Sequence, residues 1–212
     1  MKDKIINSLM KIIKENNNNI EETKLLEIKY GLETIYLTIV KTIVFVLIAI
    51  FLNTLKEILY LMLFYGILRL TGFGVHAHKS SHCWISSILI FILIPIIIKY
   101  IIINKTILYI GIIISILLFI LYAPADTPKR PLVNKKKRII YKLLTIIFSI
   151  IYVLIIINNK NNIIINSIFY SMLLESFLVT PFAYKLFGVS YKNYKKHKKK
   201  KGVKKWNYLE NY

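Results

Sequence analysis

"TILYIGIIISILLFILYAPADTPKRPLVNKKKRIIYKLLTIIFSIIYVLIII", residues Thr106 to Ile157, consists of two apolar runs separated by a basic link. Each run approaches the roughly 20 residues that an α-helix needs to cross the hydrocarbon core of a bilayer. The link "KRPLVNKKKR" (Lys129 to Arg138) cannot enter hydrocarbon, and short loops rich in Lys and Arg stay on the cytoplasmic side. Run, charged turn and run together predict a helical hairpin that crosses a membrane twice.

Four more apolar runs flank this hairpin: Ile35–Leu52, Ile58–Leu70, Trp84–Ile103 and Ile163–Phe187. The second of these is short. With Thr106–Tyr122 and Ile139–Ile157 they predict an all-α polytopic membrane protein of about six spans. Composition agrees. The chain of 212 residues is 56% hydrophobic and carries a formal net charge of +20, with apolar and charged residues in separate blocks. A soluble domain would need polar surface around its core, so that class is excluded. The single cysteine cannot form an internal disulfide. A lone thiol suits a reducing cytoplasmic face.

Alternation through six spans places the N-terminus, the stretch Arg69–Cys83, the basic link and the tail "YKNYKKHKKKKGVKK" (Tyr191 to Lys205) on the cytoplasmic side. The lysine-poor links "NTLKE", "NK" and "NNKNN" then fall outside. Lys99, near the outer end of its span, can snorkel to the interface. No cleavable signal peptide is visible, so the first span is expected to act as the targeting signal. The expected organisation is an N-terminal interfacial region (1–33), a six-helix membrane domain (34–188) and a lysine-rich cytoplasmic tail (189–212). In the first region, Ile5, Leu9, Ile12 and Ile13 share one face of a helix. That pattern predicts an amphipathic helix on the inner leaflet or on the protein's own cytoplasmic face. The tail is expected to meet anionic lipid headgroups. No aromatic interleaving or recognisable module points to nucleic acid.

Reactive groups concentrate between the second and third spans. "RLTGFGVHAHKSSHC" (Arg69 to Cys83) contains the only cysteine and three of the four histidines. Cys83 is the candidate nucleophile, because a thiolate needs only a nearby base. His76, His78 and His82 are the candidate bases. On one unbroken helix His76 and Cys83 would share a face but lie about 10.5 Å apart along the axis, too far for a hydrogen bond. A working thiolate–imidazole pair therefore requires a bend, for which Gly72 and Gly74 supply backbone freedom. With His76 folded back, Cys83 would sit at the cytoplasmic start of the third span, where a helix N-terminus favours a thiolate. Two other readings stand beside this one. Cys83 can be a small apolar filler among interfacial histidines. Alternatively, His78 and His82, spaced i, i+4, can ligate a metal with Cys83 or Asp126 as the third ligand. No metal or other cofactor is expected.

Arg69, the pair His76–Ala77 and Cys83 at this spacing resemble the accessory gene regulator B family, membrane cysteine endopeptidases of bacterial peptide quorum sensing. "YAPADTPKRPL" (Tyr122 to Leu132) is similar to that family's Ala-Pro-x-Asp-Thr-Pro loop, and "KYGLE" (Lys29 to Glu33) is a weaker match. The family usually carries two adjacent glycines before the His-Ala pair, whereas Phe73 separates Gly72 from Gly74 here. The resemblance implies a thiol protease acting on an accessory gene regulator D-type propeptide, with Cys83 as nucleophile and His76 as general base and acid. Cys83 would cleave off the propeptide's acidic tail. The resulting thioester would then pass to a propeptide cysteine, closing a thiolactone ring.

Four further residues are candidate supports. Arg69 is placed to hold a propeptide carboxylate or to snorkel at the interface. Gly74 keeps the bend. Asp126 can orient the His76 imidazole or act as a turn residue before Thr127 and Pro128. Glu175, an acid within a span, is a functional candidate by default, or a neutral group hydrogen-bonded to Ser171 or Ser176. A homodimer with the His76–Cys83 pair inside each chain is expected. The competing classes are a peptide exporter without catalysis and a His/Cys metal-dependent membrane enzyme.

Overall fold

The computed structural model of the chain describes residues 2–16, 22–75, 80–128 and 131–195. The helices are α1 (Lys2–Asn16), α2 (Glu22–Phe51), α3 (Leu55–Gly72), α4 (Ser80–Ile88), α5 (Ile94–Tyr100), α6 (Lys105–Tyr122), α7 (Lys135–Asn158), α8 (Asn162–Leu178) and α9 (Pro181–Leu186). No strand occurs among the described residues beyond an isolated bridge of Phe73 with Ala125. The chain is all-α. Three helical stretches, Gly31–Phe51, Lys105–Tyr122 and Lys135–Asn158, are long and apolar enough to cross a membrane, and Trp84–Tyr100 and Asn162–Leu178 are shorter apolar helices.

The chain divides into two compact units, 1–53 and 54–212. In the first, α1 packs along α2, and Lys2 Nζ lies 3.7 Å from Glu33. Ile6 and Met10 are buried, while Ile5, Leu9 and Ile12 remain exposed. The apolar arc of α1 is therefore wider than the expected stripe, with one edge in protein and the other facing outward.

The second unit is built inside out relative to a soluble protein. Along α7, Thr145 and Ser149 are buried while Ile147, Ile150 and Leu154 are exposed. Along α6 and α8, Ser115, Ser167, Ser171 and Ser176 are buried as well. Small polar residues at helix contacts and apolar residues outside are the arrangement that hydrocarbon favours, because close backbone approach replaces the hydrophobic drive between helices. Gly111 shows the principle: a Cβ there would stand 2.5 Å from the Phe169 ring. The buried threonine and serine hydroxyls of α7 bond to their own helix, Thr145 donating to Tyr141 O at 2.9 Å and Ser149 to Thr145 O at 2.7 Å. Helix α8 packs against α3, α5, α6 and α7.

Asparagines start three of these helices. Asn104, Asn134 and Asn161 each accept a backbone N–H of the first turn of α6, α7 and α8, satisfying donors that have no intrahelical partner.

Two expected spans differ. The third contains a π turn, Leu89–Leu93, immediately before Pro95, whose missing N–H and ring displace the regular i→i−4 bond. The rod continues to Tyr100 and the chain is extended at Ile101. The sixth ends at Leu178 instead of running to Phe187, because Pro181 forces Thr180 out of helical geometry and starts α9.

Candidate active site

The chain leaves α3 through a bend built from three residues. Gly72 is the last helical residue, and Phe73 and Gly74 adopt φ of 64° and 71°. The departure from paired glycines thus falls on a position with left-handed backbone. A non-glycine residue held at such a sparsely populated φ/ψ costs about 1–3 kcal/mol, and the Phe73 ring packs edge-on to Tyr141 with centroids 4.8 Å apart.

An ion pair lies across this bend. Arg69 Nη1 stands 3.3 Å from Glu175 Oε2, with the carboxylate side chain fully buried and the arginine side chain 18% exposed. Arg69 Nη2 donates to the carbonyl of Val75, the residue that precedes His76. The N–H of Val75 donates to Leu178 O at 3.0 Å. Both glycines are explained by these groups. A Cβ on Gly72 would lie 2.9 Å from Glu175 Oε1, and one on Gly74 would lie 2.3 Å from Arg69 Nη1 and 3.0 Å from Leu178 O. The carboxylate in contact with Arg69 is thus the chain's own. Glu175 engages Arg69 and neither serine: Ser176 donates to Leu173 O and Ser115. Glu175 Oε1 and the hydroxyls of Ser167 and Ser171 have no hydrogen-bond partner among the described residues.

The loop after α6 closes on the same bend. Gly74 N donates to Ala125 O at 3.0 Å and Ala125 N to Gly72 O at 2.9 Å. The two sequence motifs, one carrying His76 and the other Ala-Pro-Ala-Asp-Thr-Pro, are therefore bonded backbone to backbone. Asp126 is buried. Its carboxylate accepts from the backbone N–H groups of Leu132 at 3.3 Å, Asn193 at 2.9 Å and Tyr194 at 2.7 Å. Burial pushes this carboxyl above the usual carboxylate range, while the three N–H donors and the Arg138 charge pull it partly back. These contacts make Asp126 the tie between its own loop and the segment after α9. Beside it, Tyr122, Lys135, Arg138, Lys142 and Tyr191 line an open cavity of about 310 Å³.

His76 and His78 lie outside the described residues, as do the side chains of His82 and Cys83. The backbone of Cys83 is in the first turn of α4, which begins at Ser80. Exposed backbone N–H groups and the positive end of the helix favour an anionic sulfur at such a position.

Three contributors to this region carried no sequence signal of comparable strength. Tyr184, on α9, donates its hydroxyl to Ala125 O at 2.9 Å and Asp126 O at 2.8 Å. Asn193 Nδ2 donates to Asp126 O at 3.3 Å. Arg138 stacks on the Tyr194 ring at 3.9 Å. Asn193 and Tyr194 lie in the segment that composition marks only as a basic tail. The uncharged Ser190, Asn193 and the tyrosines around them are the signal there for specific contacts.

The family profile described as accessory gene regulator B matches residues 3–179. A putative AgrB-like protein of Clostridium acetobutylicum is 31% identical over 174 residues, covering 82% of this chain and 83% of the relative. The accessory gene regulator protein B of Staphylococcus aureus strain bovine RF122 is 36% identical over 141 residues, covering 64% of this chain and 75% of the relative. That of strain MW2 is 32% identical over 138 residues, covering 63% and 74%. No solved structure matches the chain.

Proposed function

The chain belongs to the accessory gene regulator B family, and from that premise we propose that this membrane protein is a cysteine endopeptidase of peptide quorum sensing. Its substrate is an accessory gene regulator D-type propeptide, and its nucleophile and base are Cys83 and His76. The observation that supports this reading best is the pair of backbone bonds joining Gly72 and Gly74 to Ala125. They join the bend at Gly72–Gly74, two residues before His76 in sequence, to the second family motif.

In this mechanism His76 takes the Cys83 proton, and the thiolate attacks a carbonyl in the C-terminal half of the propeptide. The tetrahedral intermediate collapses as His76 returns the proton to the leaving amine, which frees the tail and leaves an acyl-thioester on Cys83. A thiol of the propeptide then attacks that thioester, its proton passing to His76 and back to the Cys83 sulfur. The ring closes as a thiolactone. Thioester exchange is nearly balanced, so no nucleotide is consumed provided water is kept out. Six spans with the site on the cytoplasmic side suit a ribosome-made substrate, and each protomer of a homodimer holds its own His76–Cys83 pair.

The test is to co-express the wild type, Cys83→Ala and His76→Ala with a tagged propeptide and to follow its mass. Both variants, present in the membrane at wild-type levels, are expected to leave the tail uncleaved. Full cleavage by Cys83→Ala would overturn the thioester mechanism. Normal peptide output from Cys83→Ser would favour an exporter. Activity from mixed dimers carrying one substitution per protomer would mean that the pair forms between chains.

A further inference from the structure

We infer that Glu175 is a positioning residue for His76, acting through Arg69 on the backbone of Val75. This inference rests on the peptidase reading above and extends it to a residue 106 positions away from Arg69 in sequence.

The geometry contains a chain of constraints. Glu175, fully buried on α8, fixes one arm of the Arg69 guanidinium at 3.3 Å. The other arm holds the Val75 carbonyl. A guanidinium is a rigid planar fork, so fixing one nitrogen orients the rest. The Val75 N–H is tied to Leu178 O, also on α8, at 3.0 Å. Both backbone polar groups of the residue before His76 are thus held, one by Leu178 directly and the other by Glu175 through Arg69. The bend leaves little slack around this device. Each glycine that permits the turn gives its Cβ space to one member of the pair, Gly72 to the Glu175 carboxylate and Gly74 to the guanidinium.

A merely structural ion pair predicts something different. Buried pairs are often replaced by apolar residues of similar volume with little loss of stability, whereas removal of one partner alone is strongly destabilising. The double variant Arg69→Met/Glu175→Met keeps the seam between α3 and α8 filled but releases the Val75 carbonyl. Glu175→Gln, which keeps the shape and an acceptor oxygen, is the second variant.

The readout is the pH profile of Cys83 alkylation by a membrane-permeant maleimide in full-length protein. Cys83 is the chain's only thiol, so the label reports on it alone. In the wild type an imidazole held beside the sulfur places the midpoint below the ordinary thiol value of about 8.5. His76→Ala is expected to raise it by about one unit or more. The folded double variant is expected to show a rise approaching that of His76→Ala, and Glu175→Gln a smaller one. In a His76→Ala background neither should add anything, because the effect is transmitted through His76.

The failures separate cleanly. An unchanged profile in His76→Ala sinks the His76–Cys83 reading itself. A shifted profile in His76→Ala, with wild-type profiles in the double variant and Glu175→Gln, leaves that reading standing and overturns the role of Glu175. A further shift of equal size in the His76→Ala background also overturns it, since Glu175 would then be acting on the thiol without His76. Should the double variant not accumulate, the same outcomes are read from Glu175→Gln alone.

Discussion

The hydroxyl of Tyr184 and the N–H of Gly74 converge on one acceptor, the carbonyl of Ala125, from 2.9 Å and 3.0 Å. A residue of α9 thereby supports the bond that joins the bend after α3 to the loop after α6. Tyr184→Phe removes the hydroxyl with little change of shape. A loss of about 1–2 kcal/mol of stability is expected, because the buried hydroxyl is shared between the Ala125 and Asp126 carbonyls. Thermal unfolding in detergent measures it, and an unchanged midpoint would show that the hydroxyl contributes nothing.

Gly74 and Gly188 both have positive φ, 71° and 65°, yet a Cβ meets opposite surroundings at the two sites. At Gly188 nothing lies within 4 Å, whereas at Gly74 it meets a guanidinium nitrogen and the Leu178 carbonyl. Gly188→Ala should therefore show only the backbone penalty of about 1–2 kcal/mol. Gly74→Ala should lose more than that and abolish propeptide cleavage. Comparable cleavage by the two variants would contradict the close packing described at the bend.

The C-terminal basic segment carries two of the three backbone donors to Asp126, at Asn193 and Tyr194. Removal of residues 196–212 leaves all three backbone donors to Asp126 in place. Removal of 192–212 takes away Asn193 and Tyr194, two of those three. Each lost donor to a buried carboxylate costs about 1–3 kcal/mol. The shorter truncation should keep wild-type stability and cleavage, and the longer one should lose both. Asp126→Asn should resemble the longer truncation, because its amide would turn a donor toward an N–H. Equal behaviour of the two truncations, assayed side by side, would remove Asp126 from this role.

At the other end of the bundle, Asn166 Nδ2 donates to Ile98 O at 3.3 Å and Ile101 O at 2.7 Å, covering the end of α5 from α8. Asn166→Leu leaves those carbonyls without this donor in an apolar setting. About 1–3 kcal/mol of destabilisation is expected, with the Cys83 alkylation profile unchanged. A shifted profile would instead indicate that α5 transmits to the start of α4.

Local physics made much of this legible. Apolar runs of spanning length locate α6 and α7 within a few residues. Pro181 is an equally local signal, yet the apolar content of Val179, Phe182 and Leu186 masks it, so that hydropathy alone carries the sixth span through the break. Gly72 and Gly74 marked the bend. What sequence alone did not supply was the identity of groups brought together across distant stretches. Arg69 and Glu175 have no periodicity in common, and an arginine at a span end looks the same whether it meets a phospholipid, a substrate or a buried glutamate. Asn193 and Tyr194, among lysines, were hidden by the charge of their neighbours.

The tie between Asp126 and the segment after α9 also has a consequence in time. A chain emerges from the ribosome N-terminus first, and Asp126 must wait 67 and 68 residues for the N–H groups of Asn193 and Tyr194. The bend, the loop and all the longer helices are made before those donors exist. The loop bonded to Gly72 and Gly74 is therefore fully latched only after Asn193 and Tyr194 have been made, so a protein interrupted before Asn193 keeps the Leu132 donor alone, whatever the state of its membrane helices.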